Sequence, residues 1–248
     1  MDKSLRFIAR ITVLLVIAYA FEGTAVLVQP ISPARLPPSL RDRPQSDQGM
    51  IVAQVVQGIL YVPMLVAATH SIVCETRAVL FLVNGFNVLS DRIANIAVDN
   101  DEDIREIAAL HVEILDTALQ FKKIYEPYNL VIFSQYFLMA LLGTVATIQQ
   151  VYSMEVTLLA PIVWAVIGLT CVLGDTLESA SEDMIHKAYS CRWYEAEMGF
   201  RKMLLNIMTR SSRPAVVKAS LLGNIRRPLT LSLLKMWYRF LQFLLNFD

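Results

Sequence analysis

The sequence predicts an all-α protein, a polytopic membrane helix bundle of about five transmembrane helices with helical extensions on the cytoplasmic side. Pro127 to Met154 runs 28 residues without a charged side chain, and after the lone Glu155 another 19 follow, Val156 to Gly174. A bilayer core of about 30 Å takes roughly 20 apolar residues of helix, and backbone polar groups are satisfied there only within helices or closed barrels. The two runs therefore read as a hairpin that crosses, turns and crosses back. Composition agrees, because 55% hydrophobic residues, 18% charged residues and a mean hydropathy of +0.48 fall outside ordinary soluble domains. A net charge of zero argues against a nucleic-acid partner.

In chain order, residues 1–74 hold two spans and an outer loop. Ile8 to Val28 has an uncharged centre from Ile11 to Phe21, with Arg10 near its start and Glu22 near its end. The same stretch, with Lys3, Arg6 and Arg10 before it and Ala18-Tyr19-Ala20 within it, also has the form of a secretory signal peptide, and both readings stay open. Pro30, Pro33, Pro37, Pro38 and Pro44 exclude a regular helix from Pro30 to Gln48, which reads as an extended extracellular lid. Gly49 to Cys74 is uncharged for 26 residues and reads as the second span.

Residues 75–126 read as a cytoplasmic helical region. Ala78 to Ser90 is again uncharged, which predicts that the second span continues past the membrane as a buried helix. The cluster Asp99 to Asp103 supplies an N-cap and negative charge at the start of the next helix. Ile104, Ile107, Ala108, His111, Ile114, Leu115, Ala118 and Phe121 then recur at helical spacing. That cluster is not a calcium loop, since the required Gly is Ile104 and the required Glu is Leu110. Residues 127–174 form the membrane hairpin, 175–227 a cytoplasmic anchor region, and 228–248 a final span from Leu229 to Phe247.

Charge sets the orientation. With the amino terminus inside, 17 of the 20 loop and terminal Lys/Arg residues lie on the cytoplasmic side and only Arg35, Arg41 and Arg43 lie outside. The carboxyl terminus is then extracellular. Cys74, Cys171 and Cys191 fall on the reducing side, so no disulfide framework is expected. Nucleotide-binding, hydrolase, redox and metalloprotease motifs are absent, and His70, His111 and His186 are scattered. No catalytic residue, metal site or cofactor is predicted, and an enzyme is the poorer hypothesis.

The final span carries the most telling pattern. Ser232, Lys235, Arg239, Gln242 and Asn246 recur at steps of 3, 4, 3 and 4, which places five polar side chains on one stripe of an otherwise apolar helix. A lipid-facing helix does not tolerate such a stripe. One reading pairs Lys235 and Arg239 with inner carboxylates such as Glu178 or Glu182. The other makes the stripe a wet conduction path in which Gln242 and Asn246 line a pore.

The segment leading into that span resembles the carboxyl-terminal signature of insect odorant receptors. The match runs through Gly174, Asp175, Thr176 and Leu177, then Ser181, Ala188, Tyr189, Trp193 and Tyr194, and on through Phe200-Arg201-Lys202 and Ile207 to Pro214. It continues in Ser232 to Lys235 and Tyr238, with Ser220, Leu221 to Arg227 and Arg239 as departures. Members of that family have seven spans with the amino terminus inside, and the five here resemble the third to seventh, so that two preceding spans are expected in the intact protein.

The resemblance implies a tuning subunit of an odorant-gated, non-selective cation channel in the plasma membrane of a sensory neuron dendrite. It implies a small volatile odorant as ligand and a shared co-receptor as partner in a hetero-oligomer, a tetramer by family pattern. It implies subunit contacts through the inner helices, with Tyr189, Trp193 and Lys235 as candidates. An apolar ligand needs an apolar cavity with few polar handles, which Gln54, Gln57 and Tyr61 offer at steps of 3 and 4, with Tyr19, Phe21 and Trp164 at comparable depth or slightly deeper. A G-protein-coupled receptor is opposed by the orientation, and a transporter by the lack of an inverted repeat. The related gustatory receptors are the nearest alternative, although their Thr-Tyr…Gln-Phe signature is not present in the last span.

Overall fold

The computed structural model describes Arg10 and residues 47–96, 101–148 and 154–246, with side chains at Arg10, 70–96, 102–145, 148 and 160–246. The first span apart from Arg10, the Pro-rich lid up to position 46, and Asp99 and Asn100 of the acidic cluster lie outside the described residues, so the signal-peptide alternative and the lid carry no structural account.

The described chain is a helix bundle: α1 (Asp47–Ala94), α2 (Asp101–Ile148), α3 (Met154–Ser190), a short 3-10 turn (Trp193–Glu195), α4 (Met198–Ser211), the strands β1 (Lys218–Ala219) and β2 (Gly223–Asn224), and α5 (Arg227–Leu245). Helices α1, α2 and α3 each contain a segment long and apolar enough to cross a membrane, His70–Ala94, Glu102–Val145 and Ala160–Ser190, by length and composition among the described residues. Helix α5 has 19 residues, but the polar stripe keeps its composition below that standard.

Length explains much of this architecture. At 1.5 Å per residue a helix of 48 residues, the length of both α1 and α2, is about 70 Å long, more than twice a bilayer core. Any such helix that crosses must project into water, as the uncharged run 78–90 predicts. The sequence reading places the end of the inner helix and the start of the hairpin at Glu126 and Pro127, whereas α2 runs through both without a break. Pro127 withdraws one intrahelical hydrogen bond. Its ring stays exposed at the helix surface, and the helix is tied down one residue earlier, where the Ser220 amide donates to the Glu126 carbonyl at 3.2 Å.

Helix α3 packs against both α1 and α2, and its buried face is Val163, Val166, Ile167, Cys171, Leu177 and Met184. Phe86, Leu89 and Ile93 of α1 and Ile104 and Ile107 of α2 join that core at the inner end, so the predicted helical periodicities there are burial periodicities. Helix α4 closes the inner end with Phe200, Leu204 and Ile207, all buried. Burying a side chain of that size stabilises by about 1.5–3 kcal/mol.

A two-stranded antiparallel hairpin, not foreseen from the sequence, joins α4 to α5 with Lys218 opposite Asn224 and Ala219 opposite Gly223. Its turn needs a left-handed residue, and Leu221 fills that place with φ 67° while standing 95% exposed. A leucine there costs roughly 1 kcal/mol that glycine does not. Leu221→Gly should therefore raise the melting temperature of the purified protein, by about 0.5–1 kcal/mol of stability; a lower melting temperature would mean that Leu221 makes contacts in the assembled protein.

Candidate functional site

Helix α5 enters the bundle through two ion pairs. Arg226, just before its first turn, pairs with Glu178 of α3, and the next residue binds Asp175 twice, Arg227 Nε at 2.9 Å and its backbone amide at 3.3 Å. Pro228 follows at the helix start, where a missing N–H costs nothing. This geometry corrects one expectation. Lys235 and Arg239 do not pair with Glu178 or Glu182: Arg226 occupies Glu178, and Lys235 stands nine residues, about 13 Å, further along the helix. Both cations are exposed, and neither has a carboxylate within ion-pair distance among the described residues.

The two faces of α5 are now distinct. Leu233 is buried and Thr230, Leu234, Trp237, Phe240 and Leu241 are half-buried against α2 and α3. Ser232, Lys235, Arg239, Gln242 and Asn246 are all exposed on the single chain. The stripe thus points away from its own bundle.

The packed face of α5 holds an aromatic junction that ties three helices. Trp237 Nε1 donates to Thr144 Oγ1 of α2 at 2.8 Å, and that hydroxyl donates in turn to the Ala140 carbonyl at 2.8 Å. The Trp237 ring meets Trp164 of α3 edge-on at 6.0 Å, and Trp164 meets Phe137 of α2 edge-on at 6.5 Å. Such pairs contribute about 0.5–1.5 kcal/mol beyond the area they bury. The Trp164 indole nitrogen is buried with no hydrogen-bond partner among the described residues, a state that costs about 1–3 kcal/mol. Of the six candidate ligand residues, Trp164 is the one whose side chain is described. Gln54, Gln57 and Tyr61 lie on α1 with their side chains outside the described set, and Tyr19 and Phe21 lie outside it altogether.

The candidate subunit residues sit at the inner end. Tyr189 is 66% exposed and meets Trp193 of the 3-10 turn in a tilted ring contact at 6.3 Å, and Met198 and Leu205 beside them are equally exposed. Together they rim a shallow apolar cavity of about 370 Å³. Arg201 holds this corner by donating Nε to the Ala196 carbonyl at 2.8 Å and Nη2 to that of Tyr194 at 2.7 Å, which gives the Phe200-Arg201-Lys202 segment a structural task. Tyr189, Met198 and Leu205 thus form an exposed apolar patch. Lys235 stands apart from it, on the stripe of α5. Cys191 is buried and donates its thiol to the Ala188 carbonyl at 3.0 Å; burial pushes the thiol up from its ordinary pKa, so it stays protonated.

Two buried polar residues, Glu75 and Asn129, gave no pattern in the sequence. Glu75, 6% exposed, lies at the junction of α1 and α2, and fully buried Asn129 donates Nδ2 to the Lys218 carbonyl of β1 at 3.2 Å. His111 is buried against Ser211 Oγ at 3.1 Å, a structural histidine that fastens α4 to α2. Among the described residues no group of three His, Cys, Asp or Glu side chains could hold a metal ion.

Comparison with known proteins converges on one family. A family model described as 7tm Odorant receptor matches residues 7–238. Odorant receptor 67a of Drosophila melanogaster is 23% identical over 181 residues, which are 71% of this chain and 44% of that receptor. The chain therefore spans less than half the length of that relative. The insect olfactory receptor OR5 of Machilis hrabei, solved in complex with eugenol, superposes with a TM-score of 0.82 at 17% identity, over 99% of this chain and 67% of that one. A second structure of OR5 gives 0.73 at 15% identity, over 99% and 66%. At these identities the likeness establishes the fold.

Proposed function

The chain belongs to the 7tm odorant receptor family, and from that premise we propose that it is the odorant-recognising subunit of an odorant-gated cation channel that it forms with a shared co-receptor in the plasma membrane. The observation that carries this reading is the outward polar stripe of α5. A membrane helix exposes five polar side chains away from its own bundle when they meet water or a neighbouring subunit. A stripe ending in two amides, Gln242 and Asn246, suits a path in which amide groups replace part of an ion's hydration. Lys235 and Arg239 lie on the same stripe nearer the inner end, where a subunit cleft accommodates cations that an open pore for cations would not.

Recognition of the odorant belongs to the packed side of the same helix. OR5, of the same fold, is solved with eugenol, a small aromatic molecule with few polar groups. A comparable ligand here would meet an apolar wall and one unpaired donor, the Trp164 indole N–H, with Gln54, Gln57 and Tyr61 of α1 as further polar handles. Because Trp164 touches Trp237, occupancy of this site bears directly on the helix that carries the stripe.

Cells that express a receptor containing this chain together with the co-receptor should pass odorant-evoked cation current with G-protein signalling blocked. Trp164→Phe keeps the ring contacts and removes the N–H, so half-maximal concentrations should rise about tenfold for odorants with a hydrogen-bond acceptor and stay nearly unchanged for pure hydrocarbons. Equal sensitivity to both classes in the variant would place recognition elsewhere. Current that disappears with G-protein block would contradict the channel reading.

A further inference from the structure

A cavity of about 680 Å³, within the range of small-ligand sites, lies at the inner end of the bundle between α2 and the segment that follows α4. Lys122 of α2 and Arg210 and Arg213 from the end of α4 open onto it, and Leu115, Leu119 and Val216 form an apolar wall. Its lining includes no Asp or Glu. None of these three has a carboxylate within ion-pair distance among the described residues. Three cations around one cavity repel each other, and the arrangement is stabilised by a bound anion of matching charge.

The position indicates which anion. Lys122 stands five residues before Pro127, where the uncharged membrane run begins, or about 7 Å along the helix axis. Each headgroup layer of a bilayer extends about 5–8 Å beyond the hydrocarbon core. The cations therefore lie at the depth of lipid phosphates, and the apolar wall beside them offers a surface to the upper part of an acyl chain. A soluble phosphate would use the cations and leave that wall wet.

We propose that this cavity binds the phosphorylated headgroup of an anionic membrane lipid of the phosphoinositide class, with Lys122, Arg210 and Arg213 holding its phosphates. The site needs the membrane fold and does not depend on the channel reading, so its test is a binding measurement on the purified chain. The full chain in neutral detergent is titrated with short-chain phosphatidylinositol bisphosphate, with inositol trisphosphate and with inorganic phosphate. The readouts are intrinsic tryptophan fluorescence and melting temperature.

Each cation at a charged membrane surface contributes about fivefold in partitioning, so Lys122→Gln, Arg210→Gln and Arg213→Gln together should weaken lipid binding about a hundredfold. The same change in charge made at exposed Arg77, Arg105 and Arg192 should leave binding within about twofold of the unaltered chain. If the triple variant fails to fold, Arg213→Gln alone should weaken binding about fivefold at an unchanged melting temperature. Unchanged lipid affinity in the folded variants, or an equal loss in the charge control, overturns the proposal. Inorganic phosphate or inositol trisphosphate binding as tightly as the lipid would make the site one for a soluble anion and overturn it too.

Discussion

Gly174→Ala should leave almost no folded receptor at the cell surface. Gly174 sits on α3 where the link from β2 to α5 passes, and a Cβ built there would be driven into the backbone carbonyl oxygen of Ile225. A flexible side chain could yield; a backbone carbonyl cannot. Ile225 is itself buried and its amide donates to the Val217 carbonyl at 2.9 Å, so a shift there disturbs the hairpin and the start of α5 together. Overpacking costs about 1–3 kcal/mol in an ordinary core and more where backbone must move, a large share of the total stability of a domain. Surface biotinylation against total expression gives the readout. Normal surface levels would show that α3 and the hairpin separate more readily than their packing implies.

Arg226→Met comes next in expected effect. It leaves Glu178, only 10% exposed at its side chain, without its counterion. Removing one partner of a buried pair costs about 3–5 kcal/mol, and the partial exposure of Arg226 brings the expected loss to about 2–3 kcal/mol. Replacing both residues, Arg226→Met with Glu178→Leu, should recover most of it, because an apolar pair needs no compensation. Thermal melting of the four proteins completes the cycle. A double variant no more stable than Arg226→Met would mean that Glu178 has a second task.

The elements that were legible in the sequence are those written in local pattern. Uncharged runs announced the long helices, and the 3-4-3-4 spacing announced a polar face on α5 that the structure turns outward. What stayed hidden depends on distance along the chain. Trp237 and Thr144 are 93 positions apart, and Asn129 and Lys218 are 89 apart, so no window of sequence could join them. The partner of Glu178 was misjudged because charge alone says nothing of reach, and Arg226 stands about two and a half turns closer than Lys235 and about three and a half turns closer than Arg239. Pro127 reads as a boundary, yet a helix this long has enough contacts on either side to carry one missing hydrogen bond. The hairpin was missed because its turn uses Leu221 where glycine or asparagine would have signalled it.

Thiol accessibility along α5 tests the central claim most directly, in an odorant-gated channel whose receptor subunit contains this chain. Single cysteines at 240, 242, 244 and 246, in a background with the half-exposed Cys74 changed to Ser, would be exposed to a charged, water-soluble thiol reagent during odorant application. A stripe that lines the conduction path predicts rapid modification at Gln242 and Asn246 with a change in current, and protection at Phe240 and Leu244, which face the bundle. Protection at 242 and 246 with modification at 240 and 244 would contradict it, and would make the polar stripe of α5 a packing surface between subunits.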